Sequence, residues 1–503
     1  MNNHQLVSKH PNMKILSSHS YIMKPKTFDA ISYVSAIAVA IVFALGLFSG
    51  MSFTKIGLDK VVLTYSKIAY HIENYKTLDI GLIVILSTSA LSLLVFNSYY
   101  STDRISLYVT PQFYLSICVL LGLVSYLYLS RNFSGFLEYS IFLIGVIIAE
   151  ILRSIFRVRP KVTRSIIYLF VVIFSIFSLL SPTSGGEEYT YSGYVRWSGI
   201  WRNPNTFGLF MMISIIVVLN IVLKSSMNYN EQRSSMSDLT LAKLKIMIIY
   251  IFGAYSSGIL FFGLLHSFSR SSLILLLVGI MLMLFLHRNY LITSKKIGVV
   301  CVFIAMLFCG AAFIKDFRFS RASIQRIAES TNLNDRSVRN RIVSWRDCIK
   351  MLKDRPLLGW GWGQAEKTFS EKYNFSYLNN TTSIKTNSYL IMGISSGIPA
   401  LISFLAYLFF SLTPLKISWV TIIKQRASEK LESRKYVLSA IEKDMAYYIS
   451  LFIVPALLAA VMPLINPGLF TIDTWPLLAV LVVLSYENSR YFKNSKTVDN
   501  LKS

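Results

Sequence analysis

Apolar stretches about as long as a bilayer is thick recur along this chain, separated by short polar segments. A helix needs about 20 apolar residues to cross the hydrocarbon core. About twelve windows qualify, centred at 29–50, 78–97, 112–130, 136–152, 165–181, 206–223, 246–266, 271–287, 297–314, 387–411, 446–465 and 472–486. The segments on either side of 133 and of 268 are so close that they predict helical hairpins. The predicted fold is all-α, a polytopic transmembrane helical bundle. Its expected parts are a tail at 1–28, nine spans in 29–314, a large loop at 315–386, three spans in 387–486 and a tail at 487–503. Within the large loop, 335–354 has helical spacing, with Val338, Ile342, Trp345, Ile349 and Leu352 on one face. Arg355-Pro356 ends that helix. The run Gly359-Trp-Gly-Trp-Gly363 then reads as a flexible aromatic turn. No repeat, low-complexity tract or soluble domain stands out.

Composition agrees with a membrane protein. The chain is 54% hydrophobic with mean hydropathy +0.53. Only 15% of its 503 residues are charged, against roughly 25% in soluble domains. The first 28 residues are polar and basic, with Lys9, Lys14, Lys24 and Lys26, so no cleavable signal peptide is expected. A net charge of +25 reflects cytoplasmic loops facing anionic lipid better than it reflects nucleic-acid binding. Cys118, Cys301, Cys309 and Cys348 have no metal-ligand spacing and predict no disulfide framework.

Basic residues orient the spans. The 153–164 loop carries Arg153, Arg157, Arg159, Lys161 and Arg164, and the segments 224–245, 412–445 and 487–503 are also basic. Twelve spans put all of these on the cytoplasmic side with both termini. The lysines of 51–77 run against that rule. The loop 315–386 falls outside despite its arginines, because long loops cross regardless of charge.

Candidate chemistry is concentrated on the non-cytoplasmic face. Arg196 lies in Tyr194-Val-Arg-Trp-Ser-Gly-Ile-Trp-Arg202, and Arg270 lies between two apolar spans, flanked by Ser267, Ser269, Ser271 and Ser272. A guanidinium in the bilayer core costs roughly 2.5–3.5 kcal/mol on insertion scales, so such an arginine is a functional candidate by default. Its planar fork suits phosphate oxygens. The competing readings are ordinary: a snorkelling arginine in an aromatic belt for Arg196, and an interface marker for Arg270. Asn203-Pro-Asn205 starts the next helix. His266 sits four residues before Arg270 and is placed on the same face by helical periodicity. There it is a candidate base, set against a structural role at a helix end. The chain has no Walker A motif, H-E-x-x-H or Asp-x-Asp, and no metal or cofactor is expected.

Four stretches in order resemble the bacterial O-antigen ligase and polymerase superfamily. They are Arg196-Trp-Ser-Gly199 with Asn203-Pro-Asn205, Ser269-Arg-Ser271, Arg341-Ile-Val-Ser-Trp345 leading to Arg355-Pro-Leu-Leu-Gly359, and Thr386-Asn-Ser-Tyr-Leu390. The resemblance covers roughly 190–410. It implies a membrane-embedded glycosyltransferase of the bacterial inner membrane, facing the periplasm and using a glycan on undecaprenyl pyrophosphate as donor. It assigns the pyrophosphate to Arg196 and Arg270, with Arg341 assisting. Arg202, Asn205, Trp345, Thr386 and Asn387 are its further substrate-binding candidates. The implied partners are the lipid-linked glycan, a chain-length regulator, a flippase and the bilayer.

One departure bears on the reaction. Ligases of this family usually begin the fourth stretch with His-Asn, the histidine being the proposed base, whereas this chain has Thr386 there. Threonine cannot act as a base near neutrality. That favours a polysaccharide polymerase over the alternative, a ligase that delivers glycan to lipid A core. A transporter or flippase is the alternative of another class, and internal repeats would be its sign.

Overall fold

The computed structural model describes residues 75–101, 110–130, 133–158, 190–191, 194–198, 204–232, 239–287, 304–306, 336–373, 388–412, 451, 454–465 and scattered positions of 475–487. The predicted spans at 29–50 and 165–181 lie outside these residues, as do nearly all of 297–314 and much of 472–486.

Nine long helices make up the described structure: α1 Tyr75–Ser101, α2 Pro111–Leu129, α3 Phe133–Val158, α4 Pro204–Gln232, α5 Leu239–His266, α6 Arg270–Leu286, α7 Arg336–Asp354, α8 Ser388–Leu412 and α9 Val454–Ile465. Six of them contain segments long and apolar enough to cross a membrane: α1, α2, α3, α4, α5 and α8. The shorter α6 is equally apolar. Large side chains such as Ile85, Val95, Ile251, Leu277, Met281 and Phe409 stand exposed on the outside of the bundle. In hydrocarbon these are the solvated positions, whereas in water a patch of that size would associate.

The most buried helix is α4, from Phe207 to Leu223. It is apolar on all faces, as a helix enclosed by others should be. Helices α5 and α6 pack along it, and α9 packs against both α4 and α6. A second group joins α8 to α2, and α1 to α2 and α3. The short connections at 133 and 268 therefore do not make packed hairpins. The main partner of α5 is α4, and the main partners of α2 are α8 and α1. At 268 the helix is broken by Phe268, which takes a left-handed conformation, φ 50°.

Helix α3 runs six residues past the predicted window and takes Arg153 with it. Arg153 is fully buried, not a loop cation. Its Nε donates to Glu150 and its Nη1 to Glu487, both at 3.1 Å. Asn97 of α1 donates to Glu150 at 2.9 Å and accepts from Ser154 at 3.0 Å. Buried charges persist only when paired and hydrogen-bonded, so this cluster locks α1, α3 and the segment around Glu487 into one arrangement.

One small element departs from the all-helical expectation. Thr190–Tyr191 and Tyr194–Val195 form a two-stranded antiparallel hairpin between the predicted spans 165–181 and 206–223. It delivers Arg196.

Candidate functional site

The hairpin ends at Val195, and the next two residues dock on the turn between α5 and α6. Trp197 donates its backbone N–H to the His266 carbonyl at 2.9 Å. Arg196, nearly buried, donates through Nε to the Ser267 carbonyl at 2.8 Å. Its Nη2 donates to Asn205 Oδ1 at 2.9 Å. Both of these acceptors are neutral groups. Two anchors on separate elements fix the plane of the fork, which is the preorganisation a bidentate phosphate contact needs.

The turn itself is held by serines. Ser267 Oγ donates to the Leu264 carbonyl at 2.6 Å and accepts from the Ser269 N–H at 3.1 Å. Ser269 caps α6 without a side-chain bond to the helix backbone. Its hydroxyl pairs with Ser272 Oγ at 2.8 Å instead. Phe268 is buried in the left-handed region. That conformation is uncommon for a bulky residue and stores of order 1–3 kcal/mol, as strained backbone at functional sites does.

Arg270 follows as the first residue of α6, half-buried. A cation there opposes the helix dipole, whose N-terminus prefers acids by about 0.3–1 kcal/mol. Neither α4 nor α6 has an acid in its first turn. The two helix starts touch: a Cβ on Gly208 of α4 would lie 2.8 Å from Ser269 Cβ. Two helix N-termini and two arginines thus gather positive potential at one place, a combination that selects for an anion.

His266 ends α5 and stacks on Trp197, centroids 4.1 Å apart and planes 17° apart, with Phe262 on another side at 4.3 Å. Its predicted placement on one helical face with Arg270 does not hold. The helix breaks at Phe268, so the periodicity does not run from one residue to the other. What joins them is the turn.

Arg196, Asn205, His266 and Arg270 are therefore brought together. Trp345 lies on α7, half-exposed. Arg202, Thr386, Asn387 and the side chain of Arg341 lie outside the described residues.

The glycine-tryptophan run is neither flexible nor loose. The segment 356–363 inserts beside a break in α8, where Gly397 has φ 89°. Trp360 N–H donates to the Ile394 carbonyl at 2.6 Å, Gly361 N–H to Ser395 at 3.2 Å, and Ile398 N–H to Pro356 at 2.7 Å. Ser125 of α2 reaches the Leu358 and Ser395 carbonyls at 3.0 and 2.6 Å. Trp362 Nε1 donates to the Gly122 carbonyl, and Gly363 N–H to Glu138 at 2.9 Å. Non-helical backbone within a spanning helix survives only when protein groups satisfy it, and here the inserted segment does so. Gly359, Gly361 and Gly363 all have positive φ. A Cβ on Gly359 would collide with the Ile394 carbonyl. Beyond the insertion, Arg355 covers one tryptophan, its guanidinium 4.2 Å from the Trp360 ring. Tyr373 donates to Asp354, and burial together with that carboxylate pushes its phenol up to about 12.

Sequence reasoning missed the insertion and the Arg153 cluster. Each had a signal: Gly397 two residues before Pro399 inside an apolar span, and Glu150-x-x-Arg153 at the end of another.

Residues 255–405 match the family model described as O-Antigen ligase. This part of the chain is similar to that family, which supports the resemblance to the O-antigen ligase and polymerase superfamily. The matched segment holds His266, Arg270, Arg341 and the inserted turn, and stops short of Arg196 and Asn205. No curated protein matches the chain.

Proposed function

We propose that the chain is a polysaccharide polymerase of the bacterial inner membrane. It takes a growing glycan from undecaprenyl pyrophosphate and places it on the next lipid-linked repeat unit at the periplasmic face. The observation that carries this reading is the meeting of Arg196, Arg270 and two acid-free helix starts at one turn. In the proposed reaction an acceptor hydroxyl attacks the anomeric carbon, and the bond from that carbon to the pyrophosphate oxygen breaks. The electron pair leaves with the pyrophosphate, where charge grows in the transition state. Fixed cations in a poorly hydrated site stabilise that charge selectively. His266 takes the hydroxyl proton. Arg341, Arg202, Asn205, Thr386 and Asn387 line the path of donor and acceptor. A flippase supplies the lipid-linked units, and a chain-length regulator is the partner that ends growth.

A second reading, a ligase transferring to lipid A core, is favoured by the description of the matching family. Thr386, in place of the ligase histidine, favours polymerase. Deletion of the gene decides between them when the cell's glycolipids are weighed. A polymerase deletion leaves single repeat units on lipid A core. A ligase deletion leaves long polymer on undecaprenyl pyrophosphate and a bare core. Accumulation of lipid-linked units confined to the cytoplasmic side would mean a flippase.

A further inference from the structure

Helix α7 carries three stripes. Ser344, Asp347, Cys348 and Met351 form the buried one. It rests on the first turns of α8, where Ile394 and Leu390 meet Cys348 and Met351. Of the side predicted to be apolar, Leu352 is partly buried against Gly393 of α8, while Ile342, Trp345 and Ile349 are exposed, at 52%, 37% and 45%. Beside it runs a third stripe of Arg346, Lys350 and Lys353, all exposed. Arg346 and Lys350 share Asp347 at 3.7 and 3.2 Å and stay more than half exposed.

We propose that α7 is an interfacial helix seated on an anionic lipid surface. The Ile342, Trp345 and Ile349 stripe enters the hydrocarbon boundary, and the Arg346, Lys350 and Lys353 stripe holds lipid phosphates. Depth argues for lipid as the occupant. The spanning helix α8 begins at Ser388, and α7 docks on it at Leu390 and Ile394. At 1.5 Å per residue that contact lies within about 10 Å of the end of the span. An interfacial helix buries its apolar face to about 5–10 Å, the same depth. Charge argues the same way, because a cationic stripe next to an apolar one lets lysine and arginine snorkel to the headgroups while the apolar side is buried. Tryptophan is the residue type that settles at this level. The helix also carries position 341, one turn before Trp345, on the same seated element. The proposal rests on α8 spanning a membrane, and it stands or falls separately from the transferase reading.

The test uses the full chain in nanodiscs, with Cys118, Cys301, Cys309 and Cys348 replaced. A nitroxide is placed at one position at a time through Ile342→Cys, Trp345→Cys, Ile349→Cys, Arg346→Cys or Lys350→Cys. Expected is collision with oxygen but not with a water-soluble nickel complex at 342, 345 and 349, and the reverse at 346 and 350. Access of nickel to the first three, or shielding of them from both reagents, would overturn the proposal. Shielding would mean that protein covers the face, either a second copy or another part of this chain. A second measurement needs no cysteine replacement. Purified protein is titrated with phosphatidylglycerol and phosphatidylcholine, and bound lipid is counted by native mass spectrometry. The triple change Arg346→Gln, Lys350→Gln and Lys353→Gln should weaken the preference for phosphatidylglycerol about a hundredfold, at about 1 kcal/mol per cation. An unchanged preference would remove the phosphate-holding stripe from the proposal.

Discussion

Arg196 donates its Nε–H to the Ser267 carbonyl across 71 residues of sequence, at 2.8 Å. That bond ties the hairpin to the break between α5 and α6, and it puts Arg196 three residues from the turn's own arginine. Asn205 completes the hold from the start of α4. The arginine is thus positioned by the end of the hairpin, the turn between α5 and α6, and the start of α4.

Asn205→Asp separates charge from structure at this point. A carboxylate at the second residue of α4 suits the helix dipole, so the folded protein should be as stable as wild type or slightly more so. It would also neutralise Arg196 where a phosphate is meant to sit. Polymer formation, read as a glycan ladder on a gel, should fall by at least about tenfold, the effect of about 1.4 kcal/mol lost in the transition state. Full activity of this variant would take Arg196 out of the anion site.

Arg270→Ala should abolish polymer while the protein still inserts into the membrane. Arg270→Lys should rescue poorly, because a point charge does not replace a planar fork. Insertion is checked by blotting the membrane fraction. A normal ladder from the alanine variant would sink the assignment.

His266→Phe keeps an aromatic ring between Trp197 and Phe262 and removes the imidazole nitrogens. If His266 is the base, the rate should drop about 10²–10⁴-fold with folding intact. A fully active variant would leave His266 as packing for Trp197.

Gly397→Ala tests the insertion into α8. At φ 89° an added Cβ would run into the Leu357 carbonyl. The strained backbone alone costs of order 1–3 kcal/mol, and the inserted segment would also have to back away. The expected result is a lower melting temperature in detergent, with loss of protection at the Trp360 and Gly361 amides in hydrogen exchange. A variant with wild-type melting and protection would mean that the insertion is not held by this glycine.

The helices were readable because apolar runs of bilayer length have one economical outcome. The predicted windows at 78–97, 112–130, 206–223 and 387–411 each fall on a helix. The turn serines and Arg270 were readable too, since a polar break between two apolar runs is conspicuous. How the elements pack was not. That α5 lies against α4, and that Phe268 breaks the chain in a left-handed conformation, is encoded by no periodicity. The apolar spacing of α7 marked a side on which Ile342, Trp345 and Ile349 are exposed and only Leu352 meets α8. The buried side is instead filled by Ser344, Asp347, Cys348 and Met351, chosen by what α8 presents. Arg153 was misplaced because a charge near the end of an apolar run reads as loop, and its partner Glu487 lies 334 residues away.

Arg153→Met gives the strongest stability prediction, and it comes from that misplaced residue. Removing the guanidinium leaves Glu150 and Glu487 facing each other in a dry interior. Breaking a buried pair this way costs about 3–5 kcal/mol. The variant should melt well below wild type in detergent and reach the membrane in reduced amount. The triple change Arg153→Met, Glu150→Gln and Glu487→Leu removes the charges together. Replacing a buried ion cluster by well-packed neutral residues is often neutral or stabilising, so this variant should regain most of the lost stability. Gln at 150 keeps an acceptor for the Asn97 amide, so the tie between α1 and α3 survives. If the single change alone is harmless, the cluster contributes nothing to the bundle. If the triple change is as damaging as the single one, the charges themselves do work inside the membrane, and the cluster becomes a functional site in its own right.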